Sequence, residues 1–154
     1  MRMDVTDQRI IALLAADARA SYAEIGSAVA LSAPAVKRRV DRLRATGVIK
    51  KFTAIVDPAA MGWTTEAFVE LYCTNRTTPA QLKAAARRHP EVVGAYTVSG
   101  QADALVHLRA ADIAHLEQAL ERLRSESFVT STRSMIVLSR LVDDPHSTPP
   151  PQDL

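Results

Sequence analysis

The chain has 154 residues, 47% of them apolar, and a formal net charge of +2. That length suits one ordinary domain or two small ones, and no apolar run approaches the ~20 residues a membrane span needs. The single Cys73 excludes an intramolecular disulfide framework and a cysteine zinc cluster. Met1-Arg2-Met3-Asp4 runs into an amphipathic segment rather than an apolar leader, so a cytoplasmic chain is expected. The charge is unevenly spread. Residues 1–62 carry ten bases and six acids, and residues 63–154 carry nine bases and eleven acids. A basic front joined to an acidic back suggests a nucleic-acid module attached to something else.

Asp4 to Ala18 reads as a first helix, with Ile10 and Leu14 as its main stripe. Ser21 and Glu24 have capping-box spacing, and Tyr22, Ile25 and Val29 then share one helical face. This second helix stops near Ala30-Leu31. Ser32 is placed to cap a third helix, and Pro34 fits its first turn. Val36, Val40 and Leu43 form the apolar stripe of that helix, and Gly47 is its stop signal. From Ser32 to Lys51 the bases Lys37, Arg38, Arg39, Arg42, Arg44, Lys50 and Lys51 face one acid, Asp41, for a net +6. Two capped helices, a tight turn and a basic outer face describe a helix-turn-helix that lays a helix in the DNA major groove. The expected DNA contacts are Tyr22, Ser32, Ala33, Ala35, Lys37, Arg38, Arg39 and Arg42. Lys37 and Arg38, near the helix start, are the expected base readers, and the other bases would neutralise phosphate.

Ile49 to Val56 alternates, is β-branched and reads as a strand. Asp57-Pro58 ends it, and Met61-Gly62 marks a boundary. The rest has a β-α-β-β-α-β rhythm. Strands are expected over 66–74, 92–99, 104–109 and 128–142. Helices are expected from Thr78-Pro79 to Pro90 and over 112–125, the second with Ile113, Leu116, Leu120 and Leu123 on one face. This order is the ferredoxin-like pattern, whose sheet has helices on one face only. Its other face must meet something, most simply a second copy. The expected fold class is therefore α+β. Residues 1–48 would form the helix-turn-helix domain, 49–62 a hinge strand and linker, and 63–142 the ferredoxin-like domain. Residues 143–154, with four prolines, would be a disordered tail.

The chain resembles the Lrp/AsnC, or feast/famine, family of transcription regulators from about Asp4 to Leu141. The resemblance is carried by Asp4, Asp7, Ile10, Leu14, Asp17-Ala18-Arg19, Leu31-Ser32, Val36, Arg39-Val40, Leu43 and Gly47-Val48-Ile49. It continues through Phe52, Ala54, Asp57-Pro58, Gly62, the turn Val98-Ser99-Gly100-Gln101-Ala102-Asp103, and Val129 to Leu138. It implies a hinge strand pairing between subunits and a homodimer assembling to a tetramer or octamer on double-stranded DNA. It also implies a small effector, usually an amino acid or related metabolite, bound between dimers. Carried over, the effector contacts are Val98, Gly100, Gln101, Ala102, Asp103, Ala104 and Ser134. Gly100 permits close backbone approach, and Asp103 is placed to take an α-ammonium. An ordinary hairpin turn is the bland reading of the same residues. The chain departs from the family pattern in two places. Ala102 and Ala104 stand where aromatic residues are frequent, which would enlarge or alter the pocket. Ala30 stands where glycine is common.

No catalytic or metal site is expected, and no cofactor beyond the effector. His89, His107, His115 and His146 are scattered outside any ligand pattern, and Cys73 reads as a small buried hydrophobe. Two rival readings remain: an enzyme resembling the sirohaem decarboxylases, with His107 as its strand histidine, and an effector-independent DNA-organising protein. The basic third helix argues against the enzyme.

Overall fold

The computed structural model describes residues 3–142. The chain divides into two compact units, one ending at Ile55 and the other spanning Val56–Leu141. The disordered tail expected at 143–154, and His146 within it, lie outside the described residues.

The first unit is three helices: α1 (Val5–Ala16), α2 (Tyr22–Val29) and α3 (Ala33–Ala45). Each of the first two starts on a reciprocal capping box, Asp4 with Asp7 and Ser21 with Glu24. Ile10, Leu14, Ile25, Val36 and Val40 form the buried cluster between them, with Tyr22 and Val29 packed against its edge. The turn between α2 and α3 is tight. The Leu31 N–H reaches the Gly26 carbonyl at 2.9 Å. A Cβ on Gly26 would overlap the Leu31 carbonyl oxygen, so only glycine lets the two backbones meet. Ala30 supplies the reversal in the left-handed region, at φ 56° and ψ 43°. It is the one non-glycine residue with positive φ among those described. Its Cβ crowds the next carbonyl there, at a cost of about 1–2 kcal/mol.

Two expectations fail in this unit. Ser32 has the extended backbone of an N-cap, but its side chain makes no capping hydrogen bond. The strand expected over 49–56 does not form: residues 50–57 have no ladder partner. Strand backbone needs a neighbour for its N–H and C=O groups, and the single chain offers none here. Phe52, Ile55 and Val56 are exposed accordingly.

The second unit is β1 (Thr65–Cys73), α4 (Pro79–Arg88), β2 (Val92–Thr97), β3 (Ala104–Ala110), α5 (Ile113–Arg124) and β4 (Val129–Ile136). The sheet is antiparallel in order β2-β3-β1-β4, with β1 and β3 central. Ala67, Val69 and Leu71 of β1 and Val106 and Leu108 of β3 alternate onto the helix-covered face and are buried with Leu116 and Leu123 of α5. Ile113, expected on that face, is exposed. It is the first residue of α5. The last strand ends at Ile136 rather than 142, and Leu138, Leu141 and Val142 are exposed.

Three carboxylates tie this unit together. Glu91 meets His115 at 2.9 Å and also Arg122. Glu126 meets Arg88 at 2.6 Å and His89 at 3.0 Å. Glu66 meets His107, and Arg140 at 2.6 Å. Burial works against ionisation at all three. The hydrogen bonds from these partners outweigh it and hold each carboxyl below its ordinary value of 4.5. Carboxyls lowered in the folded state stabilise fully above their unfolded pKa. That stabilisation fades as pH falls through the lower, folded value.

Ala30→Gly should raise stability by about 1 kcal/mol in denaturant unfolding, and Gly26→Ala should lower it. Glu91→Gln should destabilise at about pH 7, and its deficit against wild type should shrink near pH 3. A deficit constant across that range would show that ionised Glu91 contributes nothing.

Candidate nucleic-acid interface and effector turn

α3 has a dry side and a wet side. Val36, Val40 and Leu43 are fully buried. Ser32, Pro34, Lys37, Arg38, Asp41, Arg42 and Arg44 are exposed, and Ala33, Ala35 and Arg39 are half-buried at the border. Lys37 donates to Asp41 at 2.6 Å, one turn along the helix, and this hydrogen bond raises its pKa. Arg38 has no hydrogen bond or ion pair among the described residues. The uncapped Ser32 hydroxyl is also unengaged. Ser32 stands at the N-cap of α3 and Arg38 in its second turn, both with their hydrogen-bonding capacity free.

Arg39 and Arg42 are placed differently from the expectation that they simply meet phosphate. Asp7 of α1 has a side chain only 1% exposed. It accepts from Arg39 at 2.8 Å and from Arg42 at 2.7 and 2.8 Å. Arg39 also reaches Asp4 at 2.7 Å and holds that carboxyl below its usual range. Both arginines therefore brace the helix they stand on, each with part of its guanidinium still facing out. With Leu31, Ala35 and Arg38 they line a shallow depression of about 380 Å³ on the outer face. Tyr22 is half-buried against the core and stands at the edge of this surface. Asp7 was legible as a helix-start residue. Its pairing with residues 32 and 35 positions away was not, because only the fold brings them together.

The turn between β2 and β3 carries the candidate effector residues. Val98, Gly100, Gln101 and Asp103 are exposed, and Gly100 has φ 132°. Asp103 is partly committed: its N–H donates to Leu71 O at 2.9 Å and its Oδ2 accepts from Cys73 N at 2.7 Å. The second carboxylate oxygen has no hydrogen bond among the described residues. Burial, with the nearby Asp103 charge, pushes the Cys73 thiol up. Ala102 and Ala104, expected as effector contacts, are instead 8% and 2% exposed. Strand alternation turns Ala104 under the helices with Val106 and Leu108, so neither alanine widens the outer side of the turn. Ser134 sits on β4 opposite Val69. Two strand spacings, roughly 10 Å, separate it from β3, and no contact within the chain joins it to the turn.

Each histidine among the described residues meets a carboxylate. His107 meets Glu66 and stacks on Phe68 with centroids 4.5 Å apart. His89 and His115 hold Glu126 and Glu91. No helix among the described residues is long and apolar enough to cross a membrane.

A helix-turn-helix with a basic outer face, followed by a ferredoxin-like domain, defines a class of DNA-binding regulator with an appended ligand domain. Comparison with known families agrees. The AsnC-type helix-turn-helix domain matches residues 3–44, and the Lrp/AsnC ligand binding domain matches residues 66–146. The chain belongs to the Lrp/AsnC family of transcription regulators. It is 56% identical to the HTH-type transcriptional regulator Rv2324 of Mycobacterium tuberculosis over 92% of this chain and 96% of that one. It is 34% identical to the HTH-type transcriptional regulator FL11 of Pyrococcus horikoshii, over 88% and 89%. Among solved structures it matches a feast or famine regulatory protein of M. tuberculosis complexed with L-methionine. That match has a TM-score of 0.88 and 32% identity, and covers 96% of this chain and 100% of that one.

Arg38→Ala should weaken binding to a selected operator by about 1–3 kcal/mol while sparing random duplex. Equal losses on both would assign Arg38 to phosphate alone. Asp7→Ala should cost about 2–3 kcal/mol of stability in the first unit, read by denaturant unfolding. An unchanged midpoint would remove the bracing role.

Proposed function

We propose that this chain is a homo-oligomeric, sequence-specific transcription regulator whose DNA affinity answers to an amino acid or closely related metabolite. The observation that carries the reading is α3. Its apolar stripe is fully buried, its outer face is basic, and Arg38 and Ser32 are unengaged at the end that enters a groove. In this reading residues 1–48 contact DNA, 49–62 link, and 63–142 assemble the oligomer and bind effector.

Assembly follows from what the single chain leaves unfinished. Residues 50–57 have no ladder partner. The sheet face away from the helices presents Phe68, Tyr72, Leu105 and Met135 with no layer over it. A second copy pairing through both would satisfy backbone and apolar surface together. Two recognition helices related by a twofold axis would then read half-sites about one helical turn apart. Ser134 can join the 98–103 turn in one pocket only if another subunit brings it. An effector between subunits changes DNA affinity by linkage, since it favours the assembly that completes its site. The L-methionine held by the related M. tuberculosis protein supports an amino acid as the class of ligand. The relatives are named as regulators, and His107 is paired through Nε2 to Glu66 and stacked on Phe68, which argues against the decarboxylase reading.

A thermal-shift screen of the purified chain against the twenty amino acids tests the effector. A ligand at one hundred times its dissociation constant should stabilise by about 2.7 kcal/mol. The shift should vanish in Asp103→Ala. Silence across the panel, with operator binding intact, would favour an effector-independent DNA-organising protein.

A further inference from the structure

The helical layer of the second unit does not close over its sheet. α4 is rich in alanine: Ala84, Ala85 and Ala86 form its centre. On β2, Ala95 and Thr97 pair with buried Val106 and Ala104, and so lie on the helix-covered face, yet both are exposed. The gap beneath α4 is a cavity of about 270 Å³ walled by Leu71, Leu82, Val106, Leu123, Phe128 and Val129. Interiors are otherwise close-packed, and an apolar void of roughly 150 Å³ already binds benzene. Small residues shape this one from both sides: Ala85 and Ala86 from the helix, Ala104 from the sheet.

The mouth is charged on one side. Lys83 and Arg87, one turn apart on α4, line the cavity and have no hydrogen bond or ion pair among the described residues. Glu126, the acid at the rim, is already neutralised by Arg88 and His89. An apolar chamber with two free cations at its entrance is complementary to an amphipathic anion. We propose that this cavity is a second ligand site, distinct from the 98–103 turn, for a small carboxylic acid with a branched or aromatic body. The body fills the space left by the alanines, and the carboxylate meets Lys83 and Arg87. The ligand needs no α-ammonium, since no free carboxylate lines the chamber.

The probes are 3-phenylpropionate and its neutral counterpart 3-phenylpropanol, titrated calorimetrically into the full chain. The acid should bind up to about tenfold tighter than the alcohol. Lys83→Ala combined with Arg87→Ala should erase that preference while alcohol binding persists. Ala104→Leu should abolish binding of both by filling the chamber, and Ala86→Leu does the same from the helix side if the first variant folds poorly. Asp103→Ala should leave the acid response intact. The proposal is overturned if neither probe binds at millimolar concentration or if the alcohol binds as well as the acid. It is equally overturned if binding survives both filling variants, or if Asp103→Ala removes it, which would place the probe at the turn.

Discussion

The buried carboxylate of Asp7 and the two guanidiniums that grip it set the geometry of the helix-turn-helix. Asp7 sits in the first turn of α1, where its N–H and one carboxylate oxygen both belong to the capping box with Asp4. Its side chain points inward and is met by Arg39 and Arg42 of α3. A buried carboxylate is costly unless fully paired, so few arrangements of α1 and α3 are tolerated. The apolar cluster of Ile10, Ile25, Val36 and Val40 supplies most of the stabilisation, but hydrophobic contact is non-directional. The ion cluster adds the directionality, and fixes which side of α3 faces out. Two arginines expected as phosphate ligands from the sequence thus tie α3 to the start of α1.

The second unit is governed by a different imbalance. One face of its sheet is covered by two helices, and the other carries Phe68, Tyr72, His107 and Met135 beside Glu66 and Arg109. The polar groups of that face are already paired to one another: Glu66 with His107 and Arg109, Tyr72 with Glu70. A face with its charges internally paired, its rings half-buried and Met135 exposed costs little to desolvate, which suits assembly. The covered face has its own imbalance, since α4 brings alanine where the sheet offers room. Packing is complete around α5 and incomplete beneath α4, and the incomplete half adjoins the strand pair from which the 98–103 turn springs.

Much of this was legible in the sequence, and for identifiable reasons. Helix starts at Tyr22 and Pro79 follow from side chains that bond backbone three residues on, a local rule. The stripe of Val36, Val40 and Leu43 follows from helical period alone. The errors share a cause. Ser32 was expected to cap, and residues 49–56 to form a strand, because the local pattern permits both, but neither bond is made within the chain. Ala102 and Ala104 were carried over as pocket residues from the family resemblance, yet both are buried. The inward direction of Ala104 is set by strand register with β1. Ile113 fits the stripe of α5 but is exposed.

By itself, then, the sequence determined the order and type of the elements, the basic face of α3, the ferredoxin-like topology and the family. All of these depend on patterns that repeat within a few residues or on turn chemistry. The tertiary structure alone decided that Asp7 braces α3, that Glu66, Glu91 and Glu126 collect basic side chains from distant elements, and that a chamber opens beneath α4. Each joins residues tens of positions apart. Their energies depend on burial and direction, which a local pattern does not encode.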